Sequence, residues 1–140
     1  MNNHNTLEEL REKLFETARR IQKRAYVPYS SFRVGAAIWA DNNEVFSGCN
    51  VENISYPCGT CAEAGAIAAM IAGGGKKIRE ILITADGQSL ITPCGACLQR
   101  IKEFSDENTL IHLSDKTGIK QTLTIKDLLP LAFDDEELHK

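Results

Sequence analysis

Helix-like and strand-like patterns alternate along this chain, and their order constrains the fold more than any other feature of the sequence. Apolar periodicity and turn residues predict these elements. They are a helix over 6–25, strands over 32–39 and 44–47, a helix over 61–72, a strand over 79–85, a helix over 94–104, strands over 109–113 and 119–123, and a helix over 125–129. A capping-box pattern of Thr6 with Glu9 indicates the first helix start, the run at 81–83 (Ile-Leu-Ile) a buried strand, the glycines at 73–75 a helix end, and Pro93 a helix start. Strands interleaved with helices favour a sheet covered by helices on both faces. We therefore predict an α/β fold with three layers, α/β/α, around a central mixed five-stranded sheet.

Length and composition are those of one ordinary globular domain, which we place over residues 1–140. A hydrophobic fraction of 43% can form a packed core without disulfide or metal staples. The net charge is −3 and the sixteen basic residues are scattered, which argues against a nucleic-acid groove. The first residues lack the apolar core of a signal peptide, and no stretch approaches the ~18 apolar residues of a membrane span. We expect a cytoplasmic protein that binds neither nucleic acid nor membrane.

Four of the five cysteines form two close pairs, Cys58/Cys61 and Cys94/Cys97. In a reducing compartment such pairs indicate a metal site. Cys94 and Cys97 are three residues apart at the start of a predicted helix, so they project from the same side. Cys61 also stands at a predicted helix start, where backbone N–H groups and the helix dipole favour a thiolate. Two helix N-termini could therefore face each other across one zinc ion.

Glu63 follows the first candidate ligand by two residues. Three thiolates on zinc leave the fourth tetrahedral position for water, the arrangement of a catalytic site, and zinc lowers the pKa of that water towards ~7. Glu63 could then take up and deliver protons. Side chains two apart on an ideal helix diverge, so this chemistry requires Cys61 to lie at the helix cap and not inside a regular turn.

Other interpretations of these residues are possible. A closed site using all four paired cysteines would be structural and inert. However, residues 62–93 separate the pairs, more than the roughly 15 to 20 residues of common zinc sites, and such a site leaves Glu63 unexplained. The glycines at 73–75 lack the strand-then-helix context of a phosphate-binding loop. The three histidines, His4, His112 and His139, are not assigned to the metal.

Cys61-Ala62-Glu63 followed by Pro93-Cys94-Gly95-Ala96-Cys97 resembles the zinc-deaminase signature in its variant with three cysteines. The resemblance extends beyond this signature. Residues 32–37 (Phe-Arg-Val-Gly-Ala-Ala), 50–56 (Asn-Val-Glu-Asn-Ile-Ser-Tyr) and 128–133 (Leu-Leu-Pro-Leu-Ala-Phe) look like segments of the small homotetrameric cytidine deaminases. It covers residues 7–138, nearly the whole chain.

The resemblance implies one Zn²⁺ per chain, held by Cys61, Cys94 and Cys97. Glu63 would shuttle protons between the zinc-bound water, ring N3 and the departing amino group. Hydroxide would attack C4 of cytosine, converting cytidine or deoxycytidine to uridine or deoxyuridine and ammonia. The partner would be a small nucleoside from pyrimidine salvage.

The resemblance also implies how the nucleoside is held. Backbone groups near Ala62 and Thr92 would contact O2 and the 4-amino group of the pyrimidine, respectively. Asn50 and Glu52 would hydrogen-bond the 3′-hydroxyl, and Phe32 would pack against the nucleoside.

Two aromatic residues, Tyr56 and Phe133, would reach into a neighbouring subunit's site, so that a homotetramer shares its active sites. The same residues could instead be ordinary core or surface aromatics.

Two positions depart from the commoner family pattern. Arginine often follows the glutamate and the last cysteine, whereas this chain has Ala64 and Leu98. Three thiolates on Zn²⁺ carry a formal charge of −1, which a nearby guanidinium would offset. Here the helix dipoles or another residue must do so.

Two rival functions share the zinc chemistry. An aminohydrolase of a nucleoside antibiotic such as blasticidin S is the nearer one, although Asn50 and Glu52 favour a plain ribose or deoxyribose. A nucleic-acid-editing deaminase should carry a basic channel and an aromatic stacking surface, which this acidic chain lacks.

Overall fold

The structure is a computed structural model that describes residues 3–138, with the side chains of residues 3–5 and 137 left out of the description. The helices are α1 (Asn3–Gln22), α2 (Ala62–Ala72), α3 (Gly95–Glu103) and α4 (Ile125–Leu128). The strands are β1 (Val34–Ala40), β2 (Val45–Cys49), β3 (Ile78–Ala85), β4 (Leu110–Asp115) and β5 (Gly118–Leu123). Short 3-10 turns occupy Tyr56–Cys58 and Asp135–Glu137. Each predicted helix and strand is therefore present, with shifted ends.

The first helix differs most from its prediction. It already includes Asn3, so Thr6 lies inside the helix and the capping-box interpretation of Thr6 and Glu9 is wrong. Asparagine is a weak helix former but does not terminate a helix. The helix ends at Gln22, where the backbone tightens into turns in which the Arg24 nitrogen donates to the Ile21 carbonyl at 2.9 Å and the Ala25 nitrogen to the Gln22 carbonyl at 3.1 Å. The buried Gln22 side chain donates to the Arg33 carbonyl at 3.2 Å and to Asp86 Oδ1 at 3.0 Å.

The five strands form one mixed sheet in the order β2-β1-β3-β4-β5. β3 and β4 are parallel, with Ile81 opposite Ile111, and the other neighbouring pairs are antiparallel. This confirms the predicted mixed five-stranded sheet with flanking helices. No helix within residues 3–138 is long and apolar enough to cross a membrane.

The two faces of the sheet bury different helices. On one face, Leu14 and Ala18 of α1 pack against Ala37 and Leu82. On the other face, the larger cluster joins α2 and α3 to the sheet; its buried members include Ala62, Ala66, Met70, Ile81, Ile83 and Ile101. Because the side chains of β3 alternate between the faces, one strand holds both layers.

A glycine brings α2 unusually close to the edge strand β2. A Cβ added at Gly48 would lie 2.3 Å from the Ala66 nitrogen and 2.6 Å from the Ala62 carbonyl oxygen. The backbone of β2 therefore touches the backbone of α2, which only glycine permits. This contact fixes the position of the N-terminal end of α2, where the candidate site begins.

Candidate metal centre and substrate cavity

Cys61 and Cys94 are the N-cap residues of α2 and α3. Both have extended backbone, with φ −79° and ψ 158° at Cys61 and φ −67° and ψ 168° at Cys94. Cys97 lies in the first turn of α3 and is buried. The sequence required Cys61 to lie at the cap, and the structure places it there. From this cap, the thiol of Cys61 and the carboxyl of Glu63 can reach the same cavity.

The sulfur atoms of Cys61, Cys94 and Cys97 all lie within 4.8 Å of one another. Three sulfurs bound tetrahedrally at the usual zinc–sulfur distance are about 3.8 Å apart, so small side-chain adjustments suffice to share one ion. Three thiols that converge at two helix N-termini form a donor set that suits zinc. The residues present therefore fit the metal that the sequence implied.

The environments of two of these thiols differ. Backbone N–H groups, chiefly that of Cys97 and then that of Ala96, lower the pKa of Cys94, although burial opposes them. Burial raises the pKa of Cys97, and the neighbouring negative charges of Glu63, Cys61 and Cys94 raise it further. Crowded thiolates without a cation are costly, and a divalent ion would remove that cost.

The other cysteines do not join this cluster in the part of the chain that the structure describes. Cys58 is exposed, and its sulfur lies 3.5 Å from the Ser55 hydroxyl oxygen. Burial raises the pKa of Cys49. A three-thiolate site with an open position fits this geometry better than a closed four-thiolate site. His112 is hydrogen-bonded to Thr122 and Glu80 inside the sheet layer, whereas the His4 side chain and His139 lie outside the described residues.

Glu63 is buried beside the sulfur cluster, with 5% of its surface exposed. Burial raises the pKa of its carboxyl group, against the opposing effects of its own backbone N–H and of the positive charge of Arg100. A carboxyl group with a raised pKa can both accept and return a proton near neutral pH, which suits a general acid and base.

The cysteines and Glu63 lie in a cavity of about 580 Å³. This volume is within the range of small-molecule sites. The wall includes Ile83 and Ile91 as apolar residues. Five of the residues predicted to bind substrate also line it: Asn50, Glu52, Tyr56, Ala62 and Thr92.

Two polar side chains of the cavity wall are hydrogen-bonded to other residues of the chain. The Asn50 side chain accepts a hydrogen bond from the Val34 nitrogen and donates one to the Phe32 carbonyl, both at 2.9 Å. Glu52 Oε1 accepts from the backbone nitrogens of Tyr29 and Ser30, at 3.0 and 3.1 Å, and its Oε2 accepts from the Ser30 hydroxyl. These bonds orient both side chains before any ligand binds.

The three aromatic residues predicted to contact the nucleoside occupy different places in the single chain. Phe32 is half-buried and does not line the cavity, and neither does Phe133, which is 61% exposed. The Phe133 carbonyl accepts a hydrogen bond from Gln99 Nε2 at 2.9 Å, which ties the C-terminal segment to α3. Tyr56 lies at the mouth and is 73% exposed, with its ring centroid 5.9 Å from that of Tyr29.

Sequence reasoning missed several residues of the site. Tyr29, Ser30 and Thr60 line the cavity without belonging to any recognised motif. Arg100, which lies beside Cys97, was missed as well. Its position three residues after Cys97 on a predicted helix was the signal that could have identified it.

Comparison with known proteins gives one consistent result. The family model of the cytidine and deoxycytidylate deaminase zinc-binding region matches residues 8–113. The cytidine deaminase of Sporosarcina psychrophila is 37% identical over 127 residues, covering 91% of this chain and 93% of that protein. The probable cytidine deaminase of Dictyostelium discoideum is 39% identical over 128 residues, covering 91% and 86%.

Solved structures agree with this result. The crystal structure of cytidine deaminase from Burkholderia pseudomallei superposes with a TM-score of 0.81 at 37% identity, covering 87% of this chain and 98% of that one. That of the Mycobacterium tuberculosis enzyme gives a TM-score of 0.75 at 36% identity, covering 88% and 96%. The signature cysteines, the buried glutamate and the mixed sheet are thus accompanied by similarity along most of the chain. This protein belongs to the cytidine and deoxycytidylate deaminase zinc-binding family.

Proposed function

We propose that this enzyme hydrolyses cytidine and deoxycytidine to uridine and deoxyuridine plus ammonia, in pyrimidine salvage. The observation that carries the proposal is the convergence of three cysteine sulfurs and the buried Glu63 at one end of a cavity large enough for a nucleoside. Relatives that carry the name cytidine deaminase are similar over about nine tenths of the chain.

Cys61, Cys94 and Cys97 would hold the zinc ion. When bound there, zinc supplies a Lewis acid that makes water nucleophilic near neutral pH. Glu63 would take a proton from the attacking water and give it to ring N3. It would then take the second proton from the hydroxyl group on C4 and give it to the amino group, which leaves C4 as ammonia. Burial suits Glu63 to this role, because the raised pKa lowers the free-energy change of proton transfer to and from its carboxyl group near neutral pH.

The cavity wall would position the cytosine ring. Ala62 is the first residue of α2, so its N–H has no acceptor within the helix and can donate to O2 of the pyrimidine. The carbonyl of Thr92, just before Pro93 in the wall, would accept from the 4-amino group. Uracil carries an oxygen in place of that amino group, so this contact favours substrate over product.

Asn50 and Glu52 would bind the 3′-hydroxyl of the sugar. One N–H of the Asn50 amide is used by the Phe32 carbonyl, which leaves the second for a ligand. The Glu52 carboxylate has about four acceptor positions, of which its bonds with Tyr29 and Ser30 use three. Phe32 supports this wall through that same carbonyl. Its ring lies outside the cavity of the single chain, so packing against the nucleoside would require the ring to turn towards the bound ligand.

The enzyme would act as a homotetramer with shared active sites. Several apolar side chains near the mouth and the C-terminal segment are exposed in the single chain, namely Ile54, Tyr56, Leu131 and Phe133. Tyr56 and Phe133 would enter a neighbouring subunit's cavity. Sedimentation equilibrium tests this assembly, because it measures how many chains associate in solution. We also propose that residues 1–140 act as one catalytic domain in the cytoplasm, whose reducing conditions keep the three thiols able to bind metal.

The test is the loss of cytidine absorbance on conversion to uridine, with zinc measured on the same sample. Glu63→Gln should keep its zinc while kcat falls by at least ~10²–10⁴, because a general acid and base is lost. Glu44→Gln, on the exposed turn before β2, is the matched control and should retain wild-type kcat. Zinc-loaded protein that turns over neither cytidine nor deoxycytidine, but does turn over blasticidin S, would transfer the function to antibiotic-type substrates.

A further inference from the structure

The charge of the metal centre needs a partner that the sequence signature does not supply. Three thiolates and a divalent ion sum to −1, and the Glu63 carboxylate beside them adds a second negative charge. Ala64 and Leu98 carry no charge at the two positions where the family often has arginine. Buried negative charge without compensation weakens metal binding, since each ligand must lose its proton.

Arg100 lies next to this cluster. Its Nη1 is 3.5 Å from the sulfur of Cys97, the most deeply buried of the three ligands, and one helical turn along α3 separates the two residues. The guanidinium also exerts a favourable charge interaction on the Glu63 carboxylate. A single cation therefore acts on both the thiolate and the general base.

Residue 64 is small and lines an open groove together with Arg100. Arg100 and Ala64 line the same groove between α2 and α3, a groove of about 410 Å³ that also contains Ile67, Gln99 and Phe104. An arginine at position 64 would project into this groove from α2. An arginine at position 64 of α2 or at position 100 of α3 could therefore place its guanidinium in this groove.

We infer that Arg100 is the positioning residue that balances the thiolate charge of this metal centre, in place of an arginine after Glu63 or Cys97. It does so by donating an N–H to the Cys97 sulfur. This inference rests on the proposed zinc site but not on the identity of the nucleoside. Arg100 should therefore affect how tightly zinc is held, independently of turnover.

The experiment removes this charge in the full-length protein and measures zinc by competition with a chelating dye. Arg100→Gln should weaken zinc affinity by about 10- to 100-fold, the usual effect of losing an outer-shell partner. Lys102→Gln is the matched control, because it removes the same charge from the same helix two residues away, on a different side. Its zinc affinity should equal that of the wild type.

A second variant separates charge from folding. Ala64→Arg combined with Arg100→Gln restores a guanidinium to the groove from α2 and should recover most of the lost affinity. Wild-type affinity in Arg100→Gln would overturn the inference. So would a loss that the double variant does not recover at all, because the role of Arg100 would then be packing. If the wild-type chain itself fails to bind zinc, the proposed function fails instead, and the two failures are thereby distinguished.

Discussion

Gly48→Ala tests whether the contact between β2 and α2 sets the geometry of the metal centre. The added Cβ would lie 2.3 Å from the Ala66 nitrogen, 2.6 Å from the Ala62 oxygen and 2.7 Å from the Gly65 carbonyl carbon. These are backbone atoms, so no side-chain rotation can relieve the overlap. The helix must move away from the sheet.

The size of that movement follows from the distances. Ordinary contact between nonbonded heavy atoms is about 3.5 Å, so α2 must shift by about 1 Å. Overpacking of this kind costs about 1–3 kcal/mol, and three backbone overlaps place Gly48→Ala near the upper end. Because Cys61 and Glu63 lie at the moving end of α2, a shift of this size should also lower kcat by about 10²-fold.

The assay is urea unfolding of the zinc-loaded protein together with its cytidine turnover. Gly65→Ala is the matched control, because Gly65 faces Gly48 across the same contact, yet its added Cβ would have its nearest atom at 3.5 Å. That variant should be neutral or stabilised by up to about 1 kcal/mol, since alanine is the better helix former. Overpacking costs ~1–3 kcal/mol, so a Gly48→Ala protein whose free energy of unfolding lies within about 0.5 kcal/mol of the wild type would refute the reasoning. Equal losses of stability in Gly48→Ala and Gly65→Ala would refute it as well.

Two further predictions concern charge and the remaining thiols. Burial raises the pKa of Glu80, but hydrogen bonds with His112 and Arg11 outweigh burial and hold the pKa below the ordinary value of a glutamate. Glu80 therefore stabilises the fold above its ordinary pKa and loses this effect as the pH falls through its folded-state pKa. Glu80→Gln should therefore be less stable than wild type at pH 7, and the difference should shrink below about pH 4 in chemical unfolding; a constant difference would contradict the pKa assignment. Cys58→Ser should keep one zinc per chain and wild-type kcat, because its thiol lies outside the sulfur cluster. Loss of zinc in Cys58→Ser would instead favour the four-thiolate site.

Much of the fold was predictable because its signals are local. The run Ile81-Leu82-Ile83 indicated a buried strand, and β3 carries it between the two helix layers. Proline and glycine placed the ends of α2 and α3 to within a residue or two. The start of α1 was missed, since the signal of Thr6 and Glu9 is weak against a helix that simply continues.

The candidate site was likewise predictable only where its signals are local. The spacing of Cys94 and Cys97 predicts by itself that both thiols lie close together at the start of one helix, and the structure has Cys94 at the N-cap and Cys97 in the first turn. Their approach to Cys61, the burial of Glu63 and the partners of Glu52 depend on how distant segments pack.

Arg100 is the clearest example of what only the tertiary structure decided. In the sequence it is one of sixteen scattered basic residues, and its spacing of three from Cys97 does not by itself show that the guanidinium reaches the sulfur. Its role depends on the groove between α2 and α3, which Ala64 leaves open, and on its 3.5 Å contact with Cys97. The sequence thus determined which atoms could bind zinc, because ligand type and local spacing are written in consecutive residues. The charge around those atoms was decided by the packing of two helices whose first residues are far apart in the chain.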